Sequence, residues 1–434
     1  MYFRQKTRGV RRFAFLNKEA LCGCILIAAV FFNAALAIVN GHVTSLSALH
    51  VSLFEAAISG LAIAVISLNL RVSMLPWAIL FALTLLLHVA LGLANQAFNP
   101  KFIRDAIEIP IFVALGMVYA RGNIVRLFLF IQCVVFIVLI FELLFAGAYS
   151  WTFDIISYYV NTRGFTYQDF WDQSSTLFVS ASRPDERFLL SFLNIHRASS
   201  IFLEPVSLGN YSIVATVFTL TFWREMSRWM KIFFVTTTLI ILVGSDGRLA
   251  AVTCMVLVLG CFIFPLLPRY SNVLYLPAIL LLSGIIVAWF GFQNSGDDFS
   301  GRLAGSIYFL TDYMDIPTLL GLHPEKARLG AADSGISNFI MTQSVFGLAA
   351  TWLFVCLVPR YHDRRSTIFV HSICIYIAFN LLISYSLVSI KTAALMWFMY
   401  GYLLPQFDWR RINLGEYLAV RRQRPPSLTG VAEG

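Results

Sequence analysis

Residues 20–39 read ALCGCILIAAVFFNAALAIV, twenty positions without a charge, preceded by Arg11, Arg12 and Lys18. At 1.5 Å per residue, a helix of this length measures about 30 Å, the thickness of the hydrocarbon core of a bilayer. An open strand cannot carry the same stretch across lipid, because its backbone N–H and C=O groups would stay unsatisfied. Comparable apolar runs follow at 49–70, 75–93, 102–119, 124–145, 206–222, 232–244, 249–266, 274–292, 336–358, 367–384 and 391–404. Together they predict an all-α, polytopic membrane protein with about twelve transmembrane helices in a single membrane domain. The whole chain of 434 residues agrees: it is 59% hydrophobic and 13% charged, with a mean hydropathy of +0.76. That balance excludes a soluble enzyme on one anchor, a disordered or collagen-like chain and a disulfide scaffold.

The polar remainder comprises a basic N-terminus (1–19), two long loops (146–205 and 293–335) and a tail (406–434). Lysine and arginine accumulate on the cytoplasmic side of short loops and termini. With both termini cytoplasmic, that side collects 21 of the 32 basic residues and six of the 23 acidic ones, near +15, and both long loops face outward. The formal charge of +9 is then a topology signal, and no nucleic acid is needed to explain it. A cleavable signal peptide ending near Ala35-Leu36-Ala37 is the alternative for the first run; it leaves the later topology unchanged. All seven cysteines lie in apolar stretches, which predicts no structural disulfide, and no Cys/His spacing suggests a metal site.

Ionisable groups inside apolar spans are costly and mark cavities or partners. Glu55, His88, Arg104, Asp105, Glu108, Glu142 and Lys391 all fall in the outer halves of their spans. The run 232–244 is only thirteen residues long, about 20 Å, so the turn Ser245-Asp246-Gly247-Arg248 is expected below the outer surface, with Arg248 lining a cavity. The first long loop carries Trp151, Phe153, Tyr158, Tyr159, Phe165, Tyr167, Phe170, Trp171 and Phe178. These rings suit an interfacial belt more than a sugar platform. In the second, Leu303, Ile307, Leu310 and Met314 predict an amphipathic helix with Arg302 in its first turn.

Four features recur in order: Arg197 followed by Glu204-Pro205 before a span, the Ser245 to Arg248 turn, the Ser300-Gly301-Arg302 helix start, and a Gly321-Leu322-His323-Pro324 stretch leading to Asp333-Ser334-Gly335. With twelve spans and two long outer loops, the chain resembles the O-antigen polymerase and ligase superfamily over most of its length after about Ala146. The resemblance implies a GT-C type glycosyltransferase of the bacterial inner membrane, acting on undecaprenyl-diphosphate-linked oligosaccharides without cofactor or metal. A chain-length regulator and a flippase are the candidate partner proteins, beside membrane lipid. Arginines suit the oxygens of a diphosphate leaving group, which makes Arg197, Arg248 and Arg302 the candidate substrate-binding residues. Asp333, Glu204 and His323 are the candidates for the base that deprotonates the acceptor hydroxyl. The ligase branch carries a histidine where this chain has Asp333, which favours a Wzy-type polymerase, narrowly one of the xanthan type. A ligase, and a transporter or flippase of lipid-linked oligosaccharide, are the alternatives.

Overall fold

The computed structural model describes residues 18–166, 177–178, 181, 196–268, 270–293, 299–323, 334–359 and 364–404. Among them all regular structure is helical: α1 (Lys18–His42), α2 (Ala48–Ser67), α3 (Leu75–Ala94), α4 (Pro100–Val118), α5 (Ile124–Leu144), α6 (Ala146–Phe153), α7 (Ile155–Arg163), α8 (Pro205–Phe222), α9 (Arg228–Ser245), α10 (Arg248–Ile263), α11 (Tyr275–Phe290), α12 (Phe299–Asp312), α13 (Ile316–Leu319), α14 (Gly335–Leu357), α15 (Arg364–Ile383) and α16 (Ile390–Leu403). Each of the twelve expected spans is a helix, and ten of them are long and apolar enough to cross a membrane. The other two are α4 and α16. Lys101, Arg104, Asp105 and Glu108 charge the first half of α4, and the 14 residues of α16 span only about 21 Å.

Both exceptions lie inside the bundle. Every residue of α16 is buried, as is every residue of α4 from Glu108 onward. Glycine permits their contact: a Cβ on Gly116 would stand 2.1 Å from the Phe398 carbonyl oxygen, and one on Gly401 would stand 1.8 Å from that of Val113. Two backbones this close gain van der Waals contact that lipid tails cannot offer, the usual basis of helix association in membranes. Around this pair, α8 and α15 are mostly buried, with 89% and 83% of their apolar windows inside the molecule. Helices α2, α3 and α11 form the rim, where Leu61, Leu86 and Leu281 are exposed, as a lipid-facing surface requires.

Two expectations change and a third holds. Helix α9 begins at Arg228, because the Ser227 side chain accepts the Met230 N–H and starts it four residues before the apolar run. Its 18 residues make about 27 Å, close to a full crossing, so the argument that set Arg248 below the surface falls away. The first long loop contains α6 and α7, which pack on α1, α2 and α5. There Tyr158 and Tyr159, like Tyr149, are wholly buried and Phe153 nearly so, and Phe165 and Phe178 pack partly buried against them, which assigns these rings to the core; among the described rings of the expected belt Trp151 is exposed, at 73%, and Tyr167, Phe170 and Trp171 lie outside the described residues. The amphipathic helix in the second loop is present as α12. Its Leu303 and Ala304 are buried, and the Ser306 hydroxyl donates to the Leu382 carbonyl of α15 at 2.5 Å.

Candidate functional site

The chain from Arg197 to Glu204 forms the spine of the site, and buried polar groups hold it in place. Glu142, in the last turn of α5, accepts the backbone N–H groups of Ser199 at 3.0 and 2.9 Å and of Ser200 at 2.6 Å. The Tyr149 hydroxyl donates to the Ser200 carbonyl at 2.6 Å, and the Ser200 hydroxyl donates to the Val135 carbonyl at 2.7 Å. Ser200 and Leu203 adopt φ of 50° and 60°, left-handed backbone that costs a residue with a Cβ roughly 1–2 kcal/mol. Such strain persists only where surrounding bonds over-determine it, and here they do.

One end of this segment meets α9. The Ala198 N–H bonds to the Gly244 carbonyl at 2.8 Å, and Arg197, 2% exposed, donates from Nε to the Ser245 carbonyl at 3.1 Å. A guanidinium suits a helix C-terminus, where carbonyls are left over and the dipole is negative. Arg197 therefore anchors the turn that leads into Arg248, the first residue of α10. Leu249 and Leu303, next in sequence to Arg248 and Arg302, share one apolar cluster. The fold thus brings Arg197 to the turn that leads into Arg248, while Arg302 lies in the first turn of α12, which packs on α11, α14 and α15.

The other end is Glu204, which precedes Pro205 at the start of α8. Its Oε1 accepts Arg163 Nη1 at 2.5 Å and the Tyr159 hydroxyl at 3.0 Å; its Oε2 accepts Lys391 Nζ at 2.7 Å and the Ser207 hydroxyl at 2.8 Å. Lys391 also donates to the Phe202 carbonyl at 3.2 Å, and the Arg163 guanidinium lies 4.6 Å over the Tyr159 ring. Burial alone would raise the Glu204 carboxyl, but the adjoining Arg163 and Lys391 prevail and hold it at about 2. For Arg163, burial would lower the pKa, and Glu204 reverses that and raises it. Burial, with Glu204 beside it, pushes the Tyr159 hydroxyl well up. A carboxylate whose lone pairs serve four donors, and whose basicity is this low, is an anchor for cations. This argues against Glu204 as the base.

A second set of charges adjoins this one. Arg104 of α4 pairs with Glu55 of α2, holds Asp105 Oδ1 through Nε at 2.9 Å and Nη2 at 2.6 Å, and stands 3.9 Å from Glu108. Glu55 is also within electrostatic reach of Arg163 and Lys391, so the two sets form one network across α2, α4, α7, α8 and α16. Beside it lies a cleft of about 40 Å³, lined by Lys101, Asp105, Asn338, Gln343 and Tyr385 among others. That volume holds about three waters and no sugar ring, so a glycan would require the cleft to widen.

Of the remaining candidates, His323 follows the Gly321 turn, which packs against Leu91 of α3 and Ser344 of α14. Asp333 lies outside the described residues, one position before Ser334, the cap of α14. Sequence reasoning placed Lys391, Glu55, Arg104 and Asp105 at one depth but missed Arg163. The available signal was an arginine in the first long loop, which is expected on the side that basic residues avoid. No protein-family model, curated protein or solved structure matches the chain.

Proposed function

We propose that the chain is a GT-C type polymerase that joins undecaprenyl-diphosphate-linked repeat units into exopolysaccharide, capsule or O-antigen at the outer face of the bacterial inner membrane. In this reading all twelve helices cross, both termini are cytoplasmic, and the end bearing α6, α7 and Glu204 faces outward. The observation that carries it is the Arg197 bond to the Ser245 carbonyl, which ties one candidate arginine to the turn that leads into another, Arg248. Guanidinium groups suit the developing charge of a diphosphate leaving group. An acceptor hydroxyl loses its proton to a base and attacks the anomeric carbon, the bond from that carbon to the diphosphate oxygen breaks, and the lipid diphosphate leaves. With Glu204 committed to Arg163 and Lys391, Asp333 and His323 are the bases to test. The network around Glu204 serves as a rigid support for the strained segment that carries Arg197.

One observation favours a second reading. Helix α14 is interrupted at Ser344, and discontinuous helices line the binding sites of many transporters. Deleting the gene and analysing the lipid-linked glycans separates the possibilities. Accumulated single repeat units at the outer face support the polymerase, retention of units in the cytoplasm supports a flippase, and long polymer left on its lipid supports a ligase.

A further inference from the structure

At the end of the bundle where α1 and α5 begin, a groove of about 630 Å³ lies open between α1 and the turn from α4 into α5. One wall is a single face of α1, where Ala20, Gly23, Cys24 and Ile27 recur at helical spacing and are mostly small. Arg121 and Arg126 stand on the other wall. Both are exposed, and among the described residues neither pairs with a carboxylate. Glu19 also lines the groove, which leaves an excess of one positive charge. The turn that carries Arg121 is held in place. The Tyr402 hydroxyl of buried α16 donates to the Gly122 carbonyl at 3.3 Å, and the Asn123 side chain accepts the Arg126 N–H at 3.0 Å to start α5.

Its depth follows from the neighbouring helix. Gln132 of α5 donates to Thr237 of α9 at 2.8 Å, 105 residues apart. At the same offset a Cβ on Gly244 would stand 3.3 Å from Leu139 Cδ1, so the two helices run parallel in register. That register sets Arg126 level with Lys231, whose ammonium lies 5.2 Å over the Trp223 ring, and close in height to Trp229, 79% exposed. Exposed tryptophans at a helix start mark the headgroup layer of a bilayer. The charge of the groove points to an anion. A helix N-terminus is the positive end of the dipole, yet the first turn of α5 holds Arg126 and no acidic residue.

We propose that this groove binds an anionic phospholipid, its phosphate against Arg121, Arg126 and the start of α5, and an acyl chain along the 20–27 face of α1. Basic pockets between transmembrane helices hold anionic headgroups in this way, and the volume is in the range of small-molecule sites. The topology rule accounts for arginines at this end but not for an apolar groove leading from them. The inference is independent of the polymerase reading and of which face is cytoplasmic, since phosphate headgroups lie on both.

The test is native mass spectrometry of the purified full chain in a neutral detergent, titrated with phosphatidylglycerol or with phosphatidylcholine of identical chains. The expected result is one phosphatidylglycerol bound at least about tenfold more tightly than phosphatidylcholine. Arg121→Gln with Arg126→Gln should weaken phosphatidylglycerol binding about tenfold to thirtyfold, the sum of two surface arginines. Arg224→Gln with Arg228→Gln, exposed at the same end but off the groove, should leave it unchanged. Cys24→Trp keeps both arginines and fills the apolar wall from an exposed position, so it should fold and also weaken the lipid. Inorganic phosphate at matched ionic strength should not displace it. Equal binding of the two lipids, or equal losses in the two arginine pairs, would mean diffuse attraction to a basic surface. Full binding in Cys24→Trp, or displacement by phosphate, would mean a site for a free anion. Any of these results overturns the assignment.

Discussion

Replacing Glu204 by Gln keeps the size and two of the accepting lone pairs but removes the charge that neutralises Lys391. The Lys391 ammonium, with a side chain 3% exposed, then has the Phe202 carbonyl and a neutral amide as its partners. Removing one member of a buried ion pair costs about 3–5 kcal/mol, chiefly because the other charge is left uncompensated. Arg163 is 41% exposed on its side chain, so Arg163→Ala should cost less, about 0–1 kcal/mol once solvent screening is counted. Lys391→Met combined with Glu204→Gln removes both charges, and the pair should cost less than Glu204→Gln alone, with a coupling of about 0.5–3 kcal/mol. The acid dependence follows from the same contacts. The Glu204 carboxyl titrates at about 2 in the folded chain against an ordinary 4.5, so its contribution is complete above pH 4.5 and is lost as pH falls from there toward 2. The stability gap between parent and Glu204→Gln should narrow across that window. Denaturant or thermal unfolding in detergent micelles measures all five proteins: the parent, Glu204→Gln, Arg163→Ala, Lys391→Met and the double variant. If Glu204→Gln costs no more than Arg163→Ala, and the double variant costs the sum of its parts, the pair is not the buried anchor described.

Arg248→Ala and Arg302→Ala should abolish polymer while the protein stays in the membrane, a loss of about 10² to 10³ in rate for one donor at a developing anion. Lys at either position should restore only part of it, because a point charge lacks the planar fork; immunoblots for the protein beside glycan gels measure both. Asp333→Asn should be nearly as damaging to polymer yield as Asp333→Ala if the carboxylate takes the proton, whereas a structural acceptor would tolerate Asn. Gly401→Ala puts a methyl 1.8 Å from the Val113 carbonyl oxygen, so α4 and α16 must separate; a loss of at least about 1–3 kcal/mol is expected in the same unfolding assay, and near-parent stability would refute the backbone contact.

Hydropathy is local and additive, so the sequence alone determined that the chain is helical and where its apolar elements lie: all twelve expected runs became helices, and α12 appears where its apolar spacing indicated. Ends were less legible. The Ser227 cap starts α9 inside polar residues that no apolar window counts. The seven ionisable groups within the apolar runs were also visible, because such a group stands out there by composition. Their partners were not. Glu142 accepts hydrogen bonds from the backbone N–H groups of Ser199 and Ser200, and Glu204 is neutralised by Arg163 and Lys391, groups brought together from α5, α7, α8 and α16 only by folding. In a low-dielectric interior, pairing energy depends on spatial distance, to which separation along the chain is no guide. The same holds for α4 and α16, whose glycines read as ordinary small residues until each meets the other helix's backbone. Tertiary structure therefore decided which carboxylate is an anchor, which arginine caps a helix, and that α14 is interrupted at Ser344.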